Sequence, residues 1–234
     1  NEALRVKYDQ TGKSCYANPN PREQILYWDD LITFRERGGL SGHAEMEGKT
    51  LFLKFNTGPS GHGASAAAGE AFALKRSGLG DVNVFAFDGE GGSTPGGVLE
   101  TLNSAYGLGL DNLFYAIDWN DFGIDSHPIS SVVFGNPENW FASHGWQVFG
   151  TEEGSSWAPV LSTWHHAVRA ENPLKRPTGL WFKTRKGRGY FKYDNLSHGA
   201  PHAMNSQLFW KTKEEFVEKY NTDFVNFNGT PPET

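Results

Sequence analysis

Two oxygen-bearing side chains each follow a short apolar run of the sequence. Asp88 closes the run Val82–Phe87, and Asn120 lies just beyond the run Leu113–Asp118. Carboxylate and amide oxygens suit Mg²⁺, which usually takes only one or two protein carboxylates and completes its shell with water and ligand phosphates. Gly89 lets a phosphate approach backbone N–H groups closely, and a helix that follows would add the favourable end of its dipole. This pattern predicts a site for magnesium and a diphosphate.

The same two residues also have an ordinary structural interpretation. Asp and Asn are common where strands end, because their side chains cap the turns that follow. Residue types alone leave both interpretations open, so the elements around Asp88 and Asn120 decide between them.

The hydrophobic pattern between these residues predicts the elements that position them. Apolar residues at helical spacing over Val98–Leu108 separate the two runs, which indicates two parallel strands joined by a helix. Two further strands are predicted at Gln147–Phe149 and Gly179–Thr184, after helices at Pro137–Ser143 and Val160–Ala170. The alternation predicts an α/β fold, with a parallel sheet covered by helices on both faces.

The carboxyl ends of the strands are where ligands bind in open α/β sheets. We therefore expect the segments Asp88–Glu90 and Asn120–Asp125 and the loop after Thr184 to converge at one edge of the sheet.

The upstream part of the chain predicts two more helices. One spans Pro21–Arg37 and is stopped by Gly38–Gly39, and the other spans Ala64–Lys75, where small residues suggest close packing. We interpret residues 1–220 as one domain and the polar residues 221–234 as a linker or frayed tail.

Composition limits the class of protein. The 234 residues are 38% hydrophobic, which is enough for a substantial core and argues against disorder. A formal net charge of −6 argues against a surface built mainly for nucleic acid or anionic lipid. No apolar stretch approaches the roughly 20 residues of a membrane helix, and the single Cys15 suits a reducing cytosol, so we expect a cytoplasmic location.

The order of these segments resembles the thiamine diphosphate-binding half of transketolases, with a weaker similarity to the homodimeric pyruvate dehydrogenase E1 component. The family motif runs from Gly-Asp-Gly to a later Asn, and Phe87–Glu90 and Asp118–Asn120 are similar to its two ends. The resemblance implies that Asp88 and Asn120 are side-chain ligands of Mg²⁺ and that Phe122 supplies a main-chain carbonyl. It also implies that Ile124 packs on the cofactor.

Four other segments match in order. Leu40–His43 resembles the family's Pro-Gly-His element, and Asn56–Gly63 resembles its Thr-Gly-Pro loop. Lys183–Tyr190 and Ser197–Pro201 resemble the strand and the His-Gly-Ala-Pro loop that close the site. The resemblance covers roughly Pro21 to Pro201.

These segments imply further site residues. An imidazole can donate a hydrogen bond to a phosphate oxygen or move a proton near neutral pH, so two histidines are candidates for catalysis, His43 and His198. The residues that the resemblance places around the cofactor are Gly58, Pro59, Ser60, Asp88, Gly89, Glu90, Asn120, Ile124 and His198.

The sequence also departs from the family pattern. Phe87 stands where the family has the leading glycine of Gly-Asp-Gly, and so bulky a side chain could crowd the diphosphate. The loop Glu90–Gly97 is longer than the family loop and lacks its acidic residue. An earlier family segment, with another histidine, has no counterpart before residue 21, which suggests a truncated or split chain.

The family domain that holds the aminopyrimidine ring has no counterpart in these 234 residues. The resemblance therefore implies a pyrimidine-binding domain or subunit that supplies the activating glutamate, in a homodimer or hetero-oligomer. The function implied is transfer of two-carbon ketol units between sugar phosphates. The alternatives are an E1-type 2-oxo acid dehydrogenase component and a non-catalytic structural or regulatory subunit.

Overall fold

Strands and helices alternate along most of the chain that the computed structural model describes, which comprises residues 10, 26–43, 49, 53–124, 127–190, 194, 202–203 and 206–221. The chain divides into two units, Asn1–Pro59 and Ser60–Thr234, which are described separately below. No helix within these described ranges is long and apolar enough to cross a membrane.

The second unit is built on a four-stranded parallel sheet with the order β1-β2-β4-β3. Its strands are β1 (Val84–Gly89), β2 (Leu113–Trp119), β3 (Gln147–Thr151) and β4 (Thr178–Lys183). Its helices are α1 (His62–Arg76), α2 (Gly96–Gly107), α3 (Pro137–Ser143), α4 (Trp157–Arg169) and α5 (Gln207–Tyr220). The predicted α/β fold with a parallel sheet is confirmed.

Helices lie on both faces of the sheet, as predicted. Because side chains alternate along a strand, neighbouring residues of β2 enter opposite layers. Tyr115 packs with Leu102 of α2 and with residues of α1 and α3, whereas Phe114 packs with Leu180 of β4 and Ala167 of α4. The sheet therefore separates two apolar layers, and the layer that contains α1 and α2 is the larger.

Helix α1 packs closely because its inward residues are small. Ala64 and Ala71 are buried against the sheet. The buried side chain of Asn112 fixes the helix further, since its Nδ2 donates to the carbonyl of Ala71 at 3.1 Å and to that of Val82 at 3.2 Å. A buried amide that satisfies two carbonyls ties α1 to the start of β1.

Strand β1 lies two residues later than the sequence predicts. The apolar run predicts a strand over Val82–Phe87, but β1 runs over Val84–Gly89. Val82 belongs to a turn, because its N–H donates to the carbonyl of Leu79 at 3.0 Å. Because of this shift, Asp88 belongs to β1 itself, one residue before the strand ends, and does not lie just after it.

The predicted helix over Pro21–Arg37 is wrong in the part that the structure describes. A 3₁₀ helix covers only Trp28–Thr33. The chain then reverses, with Arg35 at a positive φ of 62° and its N–H donating to the carbonyl of Leu40 at 2.7 Å. The tight turn satisfies backbone groups that a longer helix would have used, so the helix ends before the glycine pair.

Helix α5 was not predicted from the sequence. Its first turn is capped by Ser206, whose Oγ accepts from the N–H of Phe209 at 3.2 Å. Asn221 ends the helix in the left-handed conformation, with φ at 46°. Both are standard signals for helix ends, and the polar tail that follows obscured them.

Candidate functional site

The carboxyl ends of β1 and β2 lie side by side and carry the predicted ligands. The register pairs Asp88 with Ile117 and Gly89 with Asp118, so Asn120 lies just beyond the end of β1. The side chain of Glu90 bridges the two ends, since its Oε2 accepts from the N–H of Asn120 at 3.2 Å. The predicted convergence of these two loops is confirmed.

Asp88 is held by two backbone N–H groups. Its Oδ1 accepts from the N–H of Gly89 at 2.9 Å, and its Oδ2 accepts from the N–H of Gly61 at 3.1 Å. Burial raises the pKa of the Asp88 carboxyl, while these two hydrogen bonds oppose the rise. A cation beside the carboxylate would offset the cost of burying its charge.

Glycine is needed at two positions around Asp88. Gly61 has a φ of 84°, and a Cβ there would lie 2.7 Å from the carbonyl oxygen of Gly92. At Gly92 itself, a Cβ would lie 2.1 Å from Oδ2 of Asp88. The carboxylate therefore rests directly on the backbone at Gly92, and only glycine leaves it room.

Glu90 is the most deeply buried acidic residue that the structure describes, with 1% of its surface exposed. Burial raises the pKa of its carboxyl, with the charge of Asp118 adding to the rise and the N–H of Asn120 opposing it. Among the described residues, Oε1 of Glu90 is buried without a hydrogen-bond partner. An unpaired buried oxygen is costly, so a donor outside the described contacts suits this position.

Asn120 presents its side chain at the start of the loop after β2. Its Oδ1 accepts from the N–H of Phe122 at 3.0 Å, and its Nδ2 donates to Oδ2 of Asp118 at 3.3 Å. The first contact is an Asx turn, which is what the ordinary structural interpretation predicts. An amide oxygen has two lone pairs, so Oδ1 keeps one for a further partner.

The loop after β4 also reaches this edge, as the topology predicts. Thr184 Oγ1 donates to Oδ1 of Asp118, and Lys186 Nζ donates to the carbonyl of Gly123. The sequence marks Lys186 only as one of several cations after β4 and does not indicate that it touches the Asn120 loop. Sheet order, which brings β4 next to β2, is the signal that could have selected it.

Phe87 lies on the opposite side of β1 from Asp88. Its ring is 71% exposed and packs against Trp164 of α4, with the ring centroids 5.6 Å apart. The ring therefore does not occupy the space beside the Asp88 carboxylate. Ile124, the residue predicted to pack on the cofactor, is 68% exposed and offers an open apolar surface.

The remaining predicted site residues lie in the first unit, at the start of the second unit, or outside the described residues. His43, Gly58 and Pro59 belong to the first unit, where each is exposed. Ser60 opens the second unit and precedes Gly61, whose N–H donates to Asp88. His198 lies outside the described residues. The roles of these residues stay predictions.

The donor set suits a cation that takes few carboxylates. Within the described part of the chain, no group of three or more His, Cys, Asp or Glu side chains is placed to hold a metal ion. The predicted set has one carboxylate, from Asp88, and neutral oxygens from Asn120 and Phe122. Mg²⁺ is commonly bound by one or two carboxylates together with ligand phosphates, so the residues present fit this ion.

Comparison with known proteins assigns the chain to one class, the thiamine diphosphate-binding domains. Residues 25–224 match the family described as transketolase, thiamine diphosphate binding domain. The chain belongs to this transketolase family.

Individual relatives support the same family and fold. The transketolase of Geobacillus stearothermophilus is 31% identical over 208 residues, which cover 84% of this chain and 30% of that protein. A protein of Clostridium sp. (strain MSTE9) named 6-deoxy-6-sulfo-D-fructose transketolase subunit SqwG is 28% identical, over 81% of this chain and 67% of its own length. The crystal structure of Campylobacter jejuni transketolase shares the fold, with a TM-score of 0.69 and 24% identity over 91% of this chain and 33% of that one. The chain thus spans about a third of the transketolases that it matches.

Proposed function

We propose that this chain holds thiamine diphosphate through Mg²⁺ and forms the diphosphate-binding part of a transketolase-like enzyme. The enzyme would transfer two-carbon ketol units between sugar phosphates. One observation carries the proposal: the β1–β2 register and the contact from Glu90 to Asn120 bring the carboxylate of Asp88 and the amide of Asn120 to one edge of the sheet.

The proposed metal ligands are Oδ atoms of Asp88 and Asn120 and the carbonyl of Phe122. Asp88 is fixed by the N–H groups of Gly61 and Gly89, so its carboxylate stays in place without a partner from another side chain. The side chain of Asn120 is fixed by its Asx turn to the N–H of Phe122, so one proposed ligand is tied to the backbone of the other. Preorganised oxygens reduce the ordering that ion binding requires.

The proposed cofactor contacts come from the segments around this edge. Gly89 and Glu90 follow Asp88 directly, and Ile124 offers its exposed apolar side chain. Gly58, Pro59, Ser60 and His198 are proposed to contact the cofactor, and His43 and His198 to serve in proton transfer or phosphate contact. When bound, thiamine diphosphate supplies the nucleophilic carbon and the electron sink that the transfer of a ketol unit requires.

The chain spans about a third of the transketolases that it matches, so the proposed enzyme includes parts outside these 234 residues. We propose a pyrimidine-binding domain or subunit that provides the activating glutamate, in a dimeric or hetero-oligomeric enzyme of the cytoplasm. The relative from Clostridium is named as a subunit, and the match covers 67% of its length. This relative supports an enzyme in which two chains share the site. The formal net charge of −6 supports an anion site confined to one edge of the sheet over one spread across the surface.

Calorimetric titration tests the cofactor site. Thiamine diphosphate with MgCl₂ is added to the full chain in its native assembly, and binding that requires Mg²⁺ is expected. Asp88→Asn should weaken it at least tenfold, because removing a metal-bound charge costs more than roughly 1.4 kcal/mol. Asp81→Asn is the matched control, since Asp81 is exposed before the opposite end of β1.

Two results would contradict the proposal. One is the absence of magnesium-dependent binding in the wild-type assembly at millimolar cofactor, and the other is an Asp88→Asn variant that binds like Asp81→Asn. Circular dichroism confirms that both variants fold. Substrate class is tested separately with a ketose phosphate donor and an aldose phosphate acceptor; turnover of pyruvate without turnover of the ketose phosphate would favour the 2-oxo acid alternative.

A further inference from the structure

The segment that carries two proposed metal ligands is held at both ends by side chains from other strands. It starts at Asn120, directly after β2, and reaches Gly123. Glu90, from the end of β1, accepts from the N–H of Asn120 at 3.2 Å. Lys186, from the loop after β4, donates to the carbonyl of Gly123. The proposed ligands, Asn120 and Phe122, lie between these two contacts.

The middle of the segment is held by contacts of its own. Glu90 and Lys186 therefore act on the two ends of the segment. Asp121 has a positive φ of 68°, and its carboxylate accepts from the N–H of Ser130 at 2.8 Å and from its Oγ at 2.9 Å. Phe122 forms an isolated bridge with Pro128. No helix or sheet ladder holds Asn120 or Gly123, because β2 has already ended.

Glu90 is buried more deeply than an ordinary surface carboxylate. It is 1% exposed, and its Oε2 accepts from the N–H of Asn120 at 3.2 Å. Burying a carboxylate is costly unless it is hydrogen-bonded or paired, so a carboxylate kept at this position has a use that packing alone does not explain. Its direct effect is to fix the N–H of the residue that carries the proposed amide ligand.

At the other end of the segment, the contact is made by the positively charged side chain of Lys186. Its side chain is half-buried and crosses from the β4 loop to a backbone carbonyl one residue after Phe122. A hydrogen bond from a charged donor is stronger than one between neutral groups. The carbonyl of Phe122 is therefore adjacent to a peptide unit whose orientation Lys186 restrains.

We propose that Glu90 and Lys186 are positioning residues, which hold the two ends of the Asn120–Gly123 segment so that the two ligand oxygens keep one spacing. This inference rests on the proposed function, because the ligand role of Asn120 and Phe122 belongs to it. The holding of the segment itself can be measured without any ligand.

Four variants separate a hydrogen-bonding role from simple space filling. Glu90→Met and Lys186→Met keep the length of the side chain and remove the acceptor or the donor. Glu90→Gln and Lys186→Arg keep an acceptor and a donor, respectively. Glu70→Met on α1 and Lys219→Met on α5 are the controls, since both residues are exposed and none of the described contacts joins either of them to the segment.

Hydrogen–deuterium exchange of the peptide that covers residues 118–124 is the first readout, in the native assembly without added ligand. Each Met variant should exchange roughly tenfold faster there, because local opening becomes easier when a restraining contact is lost. The Gln and Arg variants and both controls should stay within about twofold of the wild type. Unchanged exchange in the Met variants, or equally fast exchange in Gln and Met variants of Glu90, would overturn the proposal.

Affinity for thiamine diphosphate at saturating MgCl₂, measured by calorimetry, is the second readout. Each Met variant should bind roughly tenfold more weakly than the Gln or Arg variant at the same position, which keeps the hydrogen bond to the segment. Faster exchange with unchanged affinity would overturn the link between the segment and the metal. A wild-type assembly that binds no cofactor would overturn the proposed function, whereas the exchange readout would still decide whether the two side chains hold the segment.

Discussion

Replacing Gly92 with alanine tests how the carboxylate of Asp88 is held. A Cβ at Gly92 would lie 2.1 Å from Oδ2, 2.2 Å from Cγ and 2.4 Å from Oδ1 of Asp88. Non-bonded heavy atoms prefer separations of about 3.5–4.0 Å, so the carboxylate must move by roughly 1 Å or more. Gly92 does not have a positive φ, so the backbone accepts alanine and the clash with Asp88 dominates.

The size of the effect follows from the contacts that the movement breaks. Asp88 would lose its hydrogen bonds from the N–H groups of Gly61 and Gly89. Hydrogen bonds to charged groups contribute roughly 1.5–3 kcal/mol each, and replacing glycine by alanine returns about 0.4–1 kcal/mol through the unfolded state. Because Asp88 is partly exposed and water replaces some of the lost contact, we expect Gly92→Ala to lower the free energy of unfolding by about 1–3 kcal/mol.

Two measurements check this expectation. Thermal unfolding followed by circular dichroism should show a Tm lowered by roughly 2–4 °C per kcal/mol. Calorimetry on the native assembly should show magnesium-dependent binding of thiamine diphosphate weakened at least tenfold, since a misplacement of about 1 Å at a site is costly. The matched control is Gly91→Ala, where a Cβ meets only Cδ1 of Ile129, at an ordinary 3.8 Å.

The reasoning fails if Gly92→Ala has the Tm and the affinity of the wild type, because the carboxylate would then not rest where the structure puts it. It also fails if Gly91→Ala is equally damaging, since the loss would then come from the loop backbone and not from Asp88.

Three further substitutions have defined outcomes. Phe87→Ala should leave the calorimetric affinity for thiamine diphosphate unchanged, because the ring lies on the Trp164 side of β1; a tenfold change would show that the ring reaches the cofactor. Burial raises the pKa of Tyr115, so the unfolded state ionises first and stability falls as pH rises through about 10. Urea unfolding should show that Tyr115→Phe loses less stability than the wild type between about pH 9 and 11. Asn112→Ala should lower the free energy of unfolding by roughly 1–3 kcal/mol in urea, because one buried and one partly buried hydrogen bond to backbone carbonyls are lost, and cofactor affinity that falls with it would contradict a purely structural role.

The fold was largely predictable because its elements alternate regularly. Apolar runs separated by helical patterns indicate parallel strands, and parallel strands bring their carboxyl ends to one edge. The alternation of strands and helices is therefore sufficient to predict that Asp88 and Asn120 lie at the same edge of the sheet. The turn at Arg35 was not predictable in the same way, since its backbone hydrogen bonds to Leu40 compete with a helix of similar local propensity.

The restraints around the candidate site were less accessible from the sequence. Five cations lie between the last residue of β4, Lys183, and Lys192, and nothing in their types distinguishes Lys186, which touches the Asn120 loop, from the others. Phe87 and Asp88 lie on opposite sides of β1 because successive side chains of a strand alternate. Which of the two faces Trp164 depends on how the strand packs in the sheet, and a family motif does not state this. Side-chain contacts of this kind depend on the tertiary arrangement, which a local pattern does not specify.

The parallel ladder between β1 and β2 makes the spacing of Asp88 and Asn120 independent of the length of chain between them. Residues can be added to or removed from the α2 crossover without moving either oxygen, because the ladder and not the connection sets their separation. A single residue inserted within β2 would instead reverse the side to which every later side chain of that strand points. Insertions and deletions among related domains should therefore be found in the α2 crossover, while the length of β2 stays constant.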